Sequence, residues 1–419
     1  MPWPPFRQFF SIPAPGKGDP METRAGRILN PEGLDSPEAL YGYEKARWFL
    51  VLLFVCFPLV FFDFPYPFGD LSRTGVILVL FPGLQLLWMI VPLVVFAMTR
   101  DDYLSFIWIC AISSLITFNR IRASFRSRAY SRVLLAWLFD KMSQLFLVII
   151  FFQFLQHFNV MGINAVFLRF FPDMAGLDDL KGFAFFSEPS MLAGPLLLYG
   201  VILELHCAFE DEGTRFRAII RWALTVLTCV ALARSLTCAL VIIFALTRIF
   251  NAAQLLVMGG IFVAPIGLIF SDRLLEAAGT TGNFSVLDFT TALNSWRTIP
   301  DAAIIVHYKE YILPGIQAGL RDRIVAQVSV LSPVFAWIQY LYSYFATYVS
   351  TFGFLGLFCI LISTYRRLAS RASAIRDHIY ICLLLFAMLF LLPKYDISCW
   401  VALGLISLVR QGDAIETPA

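Results

Sequence analysis

Gly182-Phe183-Ala184-Phe185-Phe186-Ser187-Glu188-Pro189-Ser190-Met191 opens an apolar run that ends near Leu203. Pro189 suits the first turn of a helix, where no backbone N–H is needed, and Ser187 or Ser190 can satisfy the unpaired donors there. The pattern predicts a helix that starts at a membrane surface with a carboxylate at its lip. Glu188 has two readings at this point. It is a favourable negative charge at a helix N-terminus, or it has a partner or a chemical task.

The same apolar character recurs on both sides of this stretch. Of the 419 residues, 59% are hydrophobic and 15% charged, and the mean hydropathy is +0.75. That is too apolar for a soluble globule and implies a polytopic membrane protein. Apolar runs fall at 48–62, 75–98, 103–118, 133–158, 183–205, 219–233, 236–250, 252–270, 333–362, 379–392 and 397–409. Charge-free runs of this kind, rather than alternating segments of about ten residues, call for helices and not a barrel. The expected fold is therefore an all-α, polytopic integral membrane protein with about 11 transmembrane helices, within about 10 to 12. Residues 1–46 form a polar, Pro- and Gly-rich arm expected to be flexible. Residues 47–410 form a single transmembrane helical domain that includes an outer loop at 271–333, and 411–419 a short tail. The arm lacks the apolar centre of a signal peptide, so the first apolar segment is expected to be retained. The eight cysteines show no C-x-x-C pair and are expected to be packing residues, neither a disulfide framework nor a metal site.

Charge sets the expected orientation. The connection 119–132 carries Arg120, Arg122, Arg126, Arg128 and Arg132, and 365–378 carries Arg366, Arg367, Arg371 and Arg376. Both should be cytoplasmic. Counting outward from them puts 207–221 inside, and Glu188 and the long loop 271–332 outside. Counting back from 119 gives three runs and leaves the basic arm outside, against its own charges. Either the uncharged stretch 74–99 does something other than cross once, or the arm is external. No internal repeat is visible, nor the matched broken helices of transporters. Within the outer loop, Ile304, Ile305, Tyr308, Tyr311 and Ile312 predict a helix within 296–313 that lies at the interface or over the bundle mouth. Turns are expected at 279–283 and 314–319.

Several charges stand out against this background. Arg234 interrupts an apolar stretch, and at mid-bilayer it would cost about 2.5 to 3.5 kcal/mol. It sits in an interfacial turn, points into a polar cavity to bind an anion, or does both. Asp140 and Lys141 break a run near its basic end and are read as structural, with Lys141 snorkelling. Arg297 has Asp301 four residues on, which fits a surface helix pair. His307 is a loop histidine whose simplest reading is incidental. P-loop, G-x-G-x-x-G, H-E-x-x-H and G-x-S-x-G motifs are all missing, which argues against soluble nucleotide-driven chemistry.

The stretch G-F-A-F-F-S-E-P-S-M resembles the G-L-F-S-E-P-S signature of the Wzy-type O-antigen and exopolysaccharide polymerases, members of the O-antigen polymerase/ligase superfamily. Other positions follow in similar order over roughly residues 45 to 410. Ala233-Arg234-Ser235 falls where the superfamily has an S-R turn, with the serine here after the arginine. Asn294-Ser295-Trp296-Arg297 and Leu313-Pro314-Gly315 look like the arginine and later P-x-x-G-x-G of its large loop, the second glycine displaced to Gly319. Thr351-Phe352-Gly353-Phe354-Leu355-Gly356 resembles the y-G-x-x-G that opens the next helix. The related ligases carry a histidine where this chain has Tyr342, and the departure favours a polymerase.

The resemblance implies a GT-C-like glycosyltransferase in the bacterial inner (cytoplasmic) membrane, acting on undecaprenyl-diphosphate-linked glycans at the periplasmic face. A lipid diphosphate leaving group needs fixed cations, and an acceptor hydroxyl is served by a base. Glu188 and Arg297 are the candidate catalytic residues, Glu188 as a base or as a group that orients an arginine. Arg234, Ser190, Arg169, Arg273, His307 and Arg321 are the candidate substrate-binding residues. No metal or other cofactor is called for, since arginines supply the positive charge. A chain-length regulator and the bilayer itself are the further expected partners, and no nucleic acid is. The alternatives are ligase-like transfer of a finished glycan, or a non-enzymatic transporter or flippase of a lipid-linked solute.

Overall fold

All regular structure among the described residues is helical, as the run lengths require of a chain whose backbone must satisfy itself in lipid. The structure is a computed structural model that describes residues 37–57, 84–122, 128–165, 192–233, 238, 299–313, 315, 318–331, 338, 340–369, 375–392 and 397–415. Its α-helices are α1 (Pro37–Cys56), α2 (Ile90–Thr99), α3 (Asp102–Arg122), α4 (Arg128–His157), α5 (Ala193–Cys207), α6 (Glu212–Ala233), α7 (Ile299–Val306), α8 (Leu320–Leu331), α9 (Tyr344–Ala369), α10 (Ile375–Phe386) and α11 (Ser398–Ile415). Within α3, α4, α6 and α9 lie stretches long and apolar enough to cross a membrane, while α2, α5, α10 and α11 contribute shorter apolar helices. The architecture is that of an α-helical membrane protein.

The centre of the bundle is α5, nearly every residue of which is buried. α4, α6 and α11 pack around it, and α11 is also wedged against α3. Gly404 makes that close approach possible: a Cβ there would lie 2.7 Å from Ile121 Cγ2. Two hydroxyl pairs bridge helices in the core, Ser143 with the Tyr199 hydroxyl at 2.6 Å and Ser114 with that of Tyr348 at 2.5 Å. In a low-dielectric interior such hydroxyls must find partners.

Three arginine-rich connections meet at one end. Arg367 donates to Asn119 Oδ1 at 2.7 Å, and Arg132 approaches Glu210 at 3.5 Å. This basic end therefore joins 119–132, 207–221 and 365–378, the set that charge counting groups together. Asp140, higher on α4, accepts from both Arg221 terminal nitrogens at 3.1 and 3.2 Å and from Gln144, to which Lys141 also donates. Asp140 and Lys141 are thus parts of one interhelical network.

Some elements differ from expectation. α1 starts at Pro37, inside the stretch expected as a polar arm. In the run 333–362, the described residues ahead of Tyr344 (338 and 340–343) are not helical, and α9 begins at Tyr344. Six cysteines are buried as packing residues should be, but Cys359 and Cys382 are exposed on α9 and α10. Apolar helices expose such groups at no cost where the solvent is hydrocarbon. The apolar runs 236–250 and 252–270 lie outside the described residues apart from Cys238.

Candidate functional site

The end of the bundle opposite the basic connections holds the described part of the outer loop. Asp101 fixes it there. Its Oδ1 accepts from Leu104 N–H at 2.9 Å and so caps α3. Its Oδ2 accepts from the N–H groups of Gly319 and Leu320 at 2.9 and 3.3 Å, at the start of α8. One carboxylate thus serves two helix N-termini, each with unpaired donors and a positive dipole end. Gly319 has φ +80°, which a side-chain-bearing residue adopts only with strain.

Beside this clamp, Arg321 extends over the rings of Tyr103 and Tyr340, its guanidinium carbon 5.4 and 5.0 Å from their centroids. Tyr103 in turn accepts from Leu341 N–H at 2.6 Å through its hydroxyl, which locks one face of the platform. Among the described residues no acid pairs with Arg321, and its Nε is buried without a hydrogen-bond partner. A guanidinium stacked on two rings and left without a counter-ion is oriented to meet an anion bidentately.

A second polar feature lies nearby in the chain. Asp301, in the first turn of α7, is 4% exposed. Ser343 donates to its Oδ1 at 2.5 Å and accepts from Ala346 N–H at 3.0 Å, capping α9. Asp301 Oδ2 has no hydrogen-bond partner among the described residues. Burial pushes the carboxyl up to about 7, with the Ser343 bond pulling the other way. Asp301 is therefore not the surface member of a helix pair: α7 turns it inward against α9, where Ser343 and not a solvated arginine is its described contact.

Of the eight candidate catalytic and substrate-binding residues that sequence analysis names, two are described. Arg321 belongs to the tyrosine platform. His307 is on the loop, its Nδ1 3.3 Å from Glu310, and Glu310 also accepts from Gln327 of α8. No described contact joins His307 to Arg321. Glu188, Ser190, Arg169, Arg234, Arg273 and Arg297 lie outside the described residues. The expected single helix within 296–313 is in fact α7 followed by a 3-10 turn at Tyr308–Tyr311. Ile304 and Tyr311 face the protein, whereas Ile305, Tyr308 and Ile312 are exposed. Among the described residues no cluster of three or more His, Cys, Asp or Glu side chains is placed to hold a metal.

No family model, curated protein or solved structure matches this chain. The geometry alone defines the candidate site: a loop end with an unpaired, oriented arginine and a buried acid. Asp101, Tyr103, Asp301 and Tyr340 were not foreseen as part of it. The one local signal was the position of Asp101 just ahead of the apolar run 103–118, which a favourable dipole interaction already explains.

Proposed function

We propose that the chain polymerises undecaprenyl-diphosphate-linked oligosaccharide units into a surface polysaccharide, as a metal-independent, membrane-embedded glycosyltransferase. In this reaction a hydroxyl of the acceptor glycan attacks the anomeric carbon of the donor. The bond from that carbon to the lipid diphosphate breaks, the electron pair leaves on the diphosphate, and a carboxylate takes the hydroxyl proton. Arginines offset the charge that grows on the leaving group. The E-P-S stretch ending at Met191 carries the resemblance from which the reading starts.

The observation that carries it furthest is a convergence of flanks. α5 ends at the basic end, where Arg215 donates to Cys207 O at 3.1 Å, so Leu192 and Ala193, just after Glu188, are directed toward the loop end. α6 begins at the basic end and finishes at Ala233, next to Arg234. Ile299, two residues after Arg297, opens the loop helix that packs on α9. Arg321 is at that same end without an acidic partner. Purified protein in liposomes, given a lipid-diphosphate-linked oligosaccharide, should produce a ladder of repeat units. Transfer of one preformed chain would instead identify a ligase, and continued ladder growth by a Glu188→Gln, Arg234→Ala, Arg297→Ala triple variant would end the site assignment.

A further inference from the structure

α9 is interrupted at Gly353, which has φ 71° and ψ 172°. In a continuous helix Leu355 N–H would donate to Thr351 O. Here Thr351 O accepts instead from Gly315 N–H at 3.2 Å, and Leu355 N–H turns to Ile312 O at 3.5 Å. Trp108 closes the contact from α3, its indole N–H donating to Gly315 O at 3.2 Å. The loop segment through Ile312, Leu313 and Gly315 thus supplies both backbone partners that the break in α9 sets free. The fit is close. A Cβ on Gly353 would lie 2.5 Å from Ile312 O and 2.6 Å from the Leu313 carbonyl carbon, and one on Gly315 would collide with Ser350 O.

These contacts lie below the ends of both helices. Trp108 is six residues beyond the start of α3 at Asp102, about 9 Å along it at about 1.5 Å per residue. Gly353 is nine residues beyond Tyr344, about 14 Å along α9. The apolar span of α3, 20 residues, is about 30 Å long and matches the hydrocarbon thickness of about 30 Å. The 26-residue span of α9 is about 39 Å, but its last turn carries Arg366 and Arg367 at the basic end, so most of the overshoot falls there and Gly353 lies between about 9 and about 14 Å deep. Both helices therefore put the segment within the apolar layer, between about a third and nearly half of the way through it.

Its outward edge is apolar. Ile312 is 40% and Leu313 66% exposed; Ile312 O receives the Leu355 N–H, and Leu355 and Phe358 of α9, 58% and 62% exposed, lie three residues apart on one helix face. We propose that the segment is a re-entrant hook: the loop descends between α3 and α9 to acyl-chain depth, and its Ile312–Leu313 edge is covered by lipid hydrocarbon of that leaflet. Irregular backbone at this depth is tolerated only where protein satisfies it, and α3 and α9 satisfy this one. Continuity with the lipid-facing row of α9 selects lipid as the occupant. The hook depends on the membrane location and not on the reaction, so it stands or fails independently of the polymerase.

The test uses the unaltered chain in liposomes that contain a phospholipid with a diazirine near the middle of one acyl chain. After illumination, mass spectrometry of the peptide between Lys309 and Arg321 should find adducts on Ile312 or Leu313 as abundant as those on Leu355 and Phe358, with Ala318 unmodified. Labelling of Leu355 and Phe358 with none in the loop peptide would overturn the hook. Nitroxides at Ile312→Cys and Leu313→Cys, in a Cys359→Ser, Cys382→Ser background, give a second measurement. Relaxation by oxygen well above that by a water-soluble nickel chelate is the expected result. Nickel access equal to that at Ala318→Cys, or shielding from both agents by a protein neighbour, would refute it.

Discussion

Ser343 Oγ donates to Asp301 Oδ1 at 2.5 Å, so the residue that caps α9 also holds the buried acid of α7. Burial raises the Asp301 carboxyl from 3.8 to about 7. A folded-state value above the unfolded one means that the folded protein holds a proton which the unfolded chain has lost. Stability from this group is complete below pH about 4 and falls as pH rises toward about 7. Asp301→Asn keeps the acceptor for Ser343 and removes the titration. It should melt close to the native protein at about pH 4 and several degrees above it at about pH 8, measured by thermal unfolding in detergent. An equal difference at the two pH values would show that Asp301 is ionised when folded.

Gly353 has a positive φ, and any Cβ there meets the carbonyls of Ile312 and Leu313. Gly353→Ala should lose about 2 kcal/mol or more, from left-handed backbone strain together with displacement of the loop. Gly42, in α1, has nothing within 4 Å of its would-be Cβ, so Gly42→Ala should be neutral or gain up to about 1 kcal/mol from helix propensity. Thermal unfolding of the two variants side by side reads the difference. Equal melting temperatures would mean that the break in α9 is not filled by the loop.

Arg321 rests on two tyrosine rings, and among the described residues no acid pairs with it. Its removal should therefore cost the fold only about 0.5 to 1 kcal/mol. If it meets a lipid diphosphate, Arg321→Ala should lower polymer formation about tenfold to a hundredfold, the value of one charge-assisted bond of about 1.5 to 3 kcal/mol. Arg321→Lys should recover part of that loss. Ladder formation at the native rate by well-folded Arg321→Ala would remove it from the site.

Ala318 and Arg366 are exposed residues at opposite ends of the bundle. On intact, right-side-out vesicles an impermeant maleimide should label Ala318→Cys directly and Arg366→Cys only after permeabilisation, because the arginine-rich end stays in the cytoplasm. The reverse pattern would invert the chain in the membrane and put the proposed reaction on the wrong face.

The helical character of the described runs and the grouping of the basic connections at one end were legible in the chain because each follows from local composition. A run such as 103–118 declares that its surroundings are apolar, here mostly neighbouring helices, and the arginines of 119–132 and 365–378 declare their side in the same way. The bond from Arg367 to Asn119 joins those two connections across 248 positions. The start of α9 was not legible. Tyr340 and Leu341 are as apolar as the helix they precede, yet they serve the arginine platform and the Tyr103 hydroxyl.

By itself, then, the sequence determined the helical, membrane-protein character of the chain and which basic connections lie together, since hydropathy and charge act on each segment separately. Only the tertiary structure decided that Asp301 is buried, that Arg321 rests on Tyr103 and Tyr340, and that Gly315 repairs the break at Gly353. Trp108 and Gly315 are 207 positions apart, and Asp101 and Gly319 are 218 apart. A donor's chemistry states that it needs an acceptor but not which one. Where chain separation is that large, packing makes the choice.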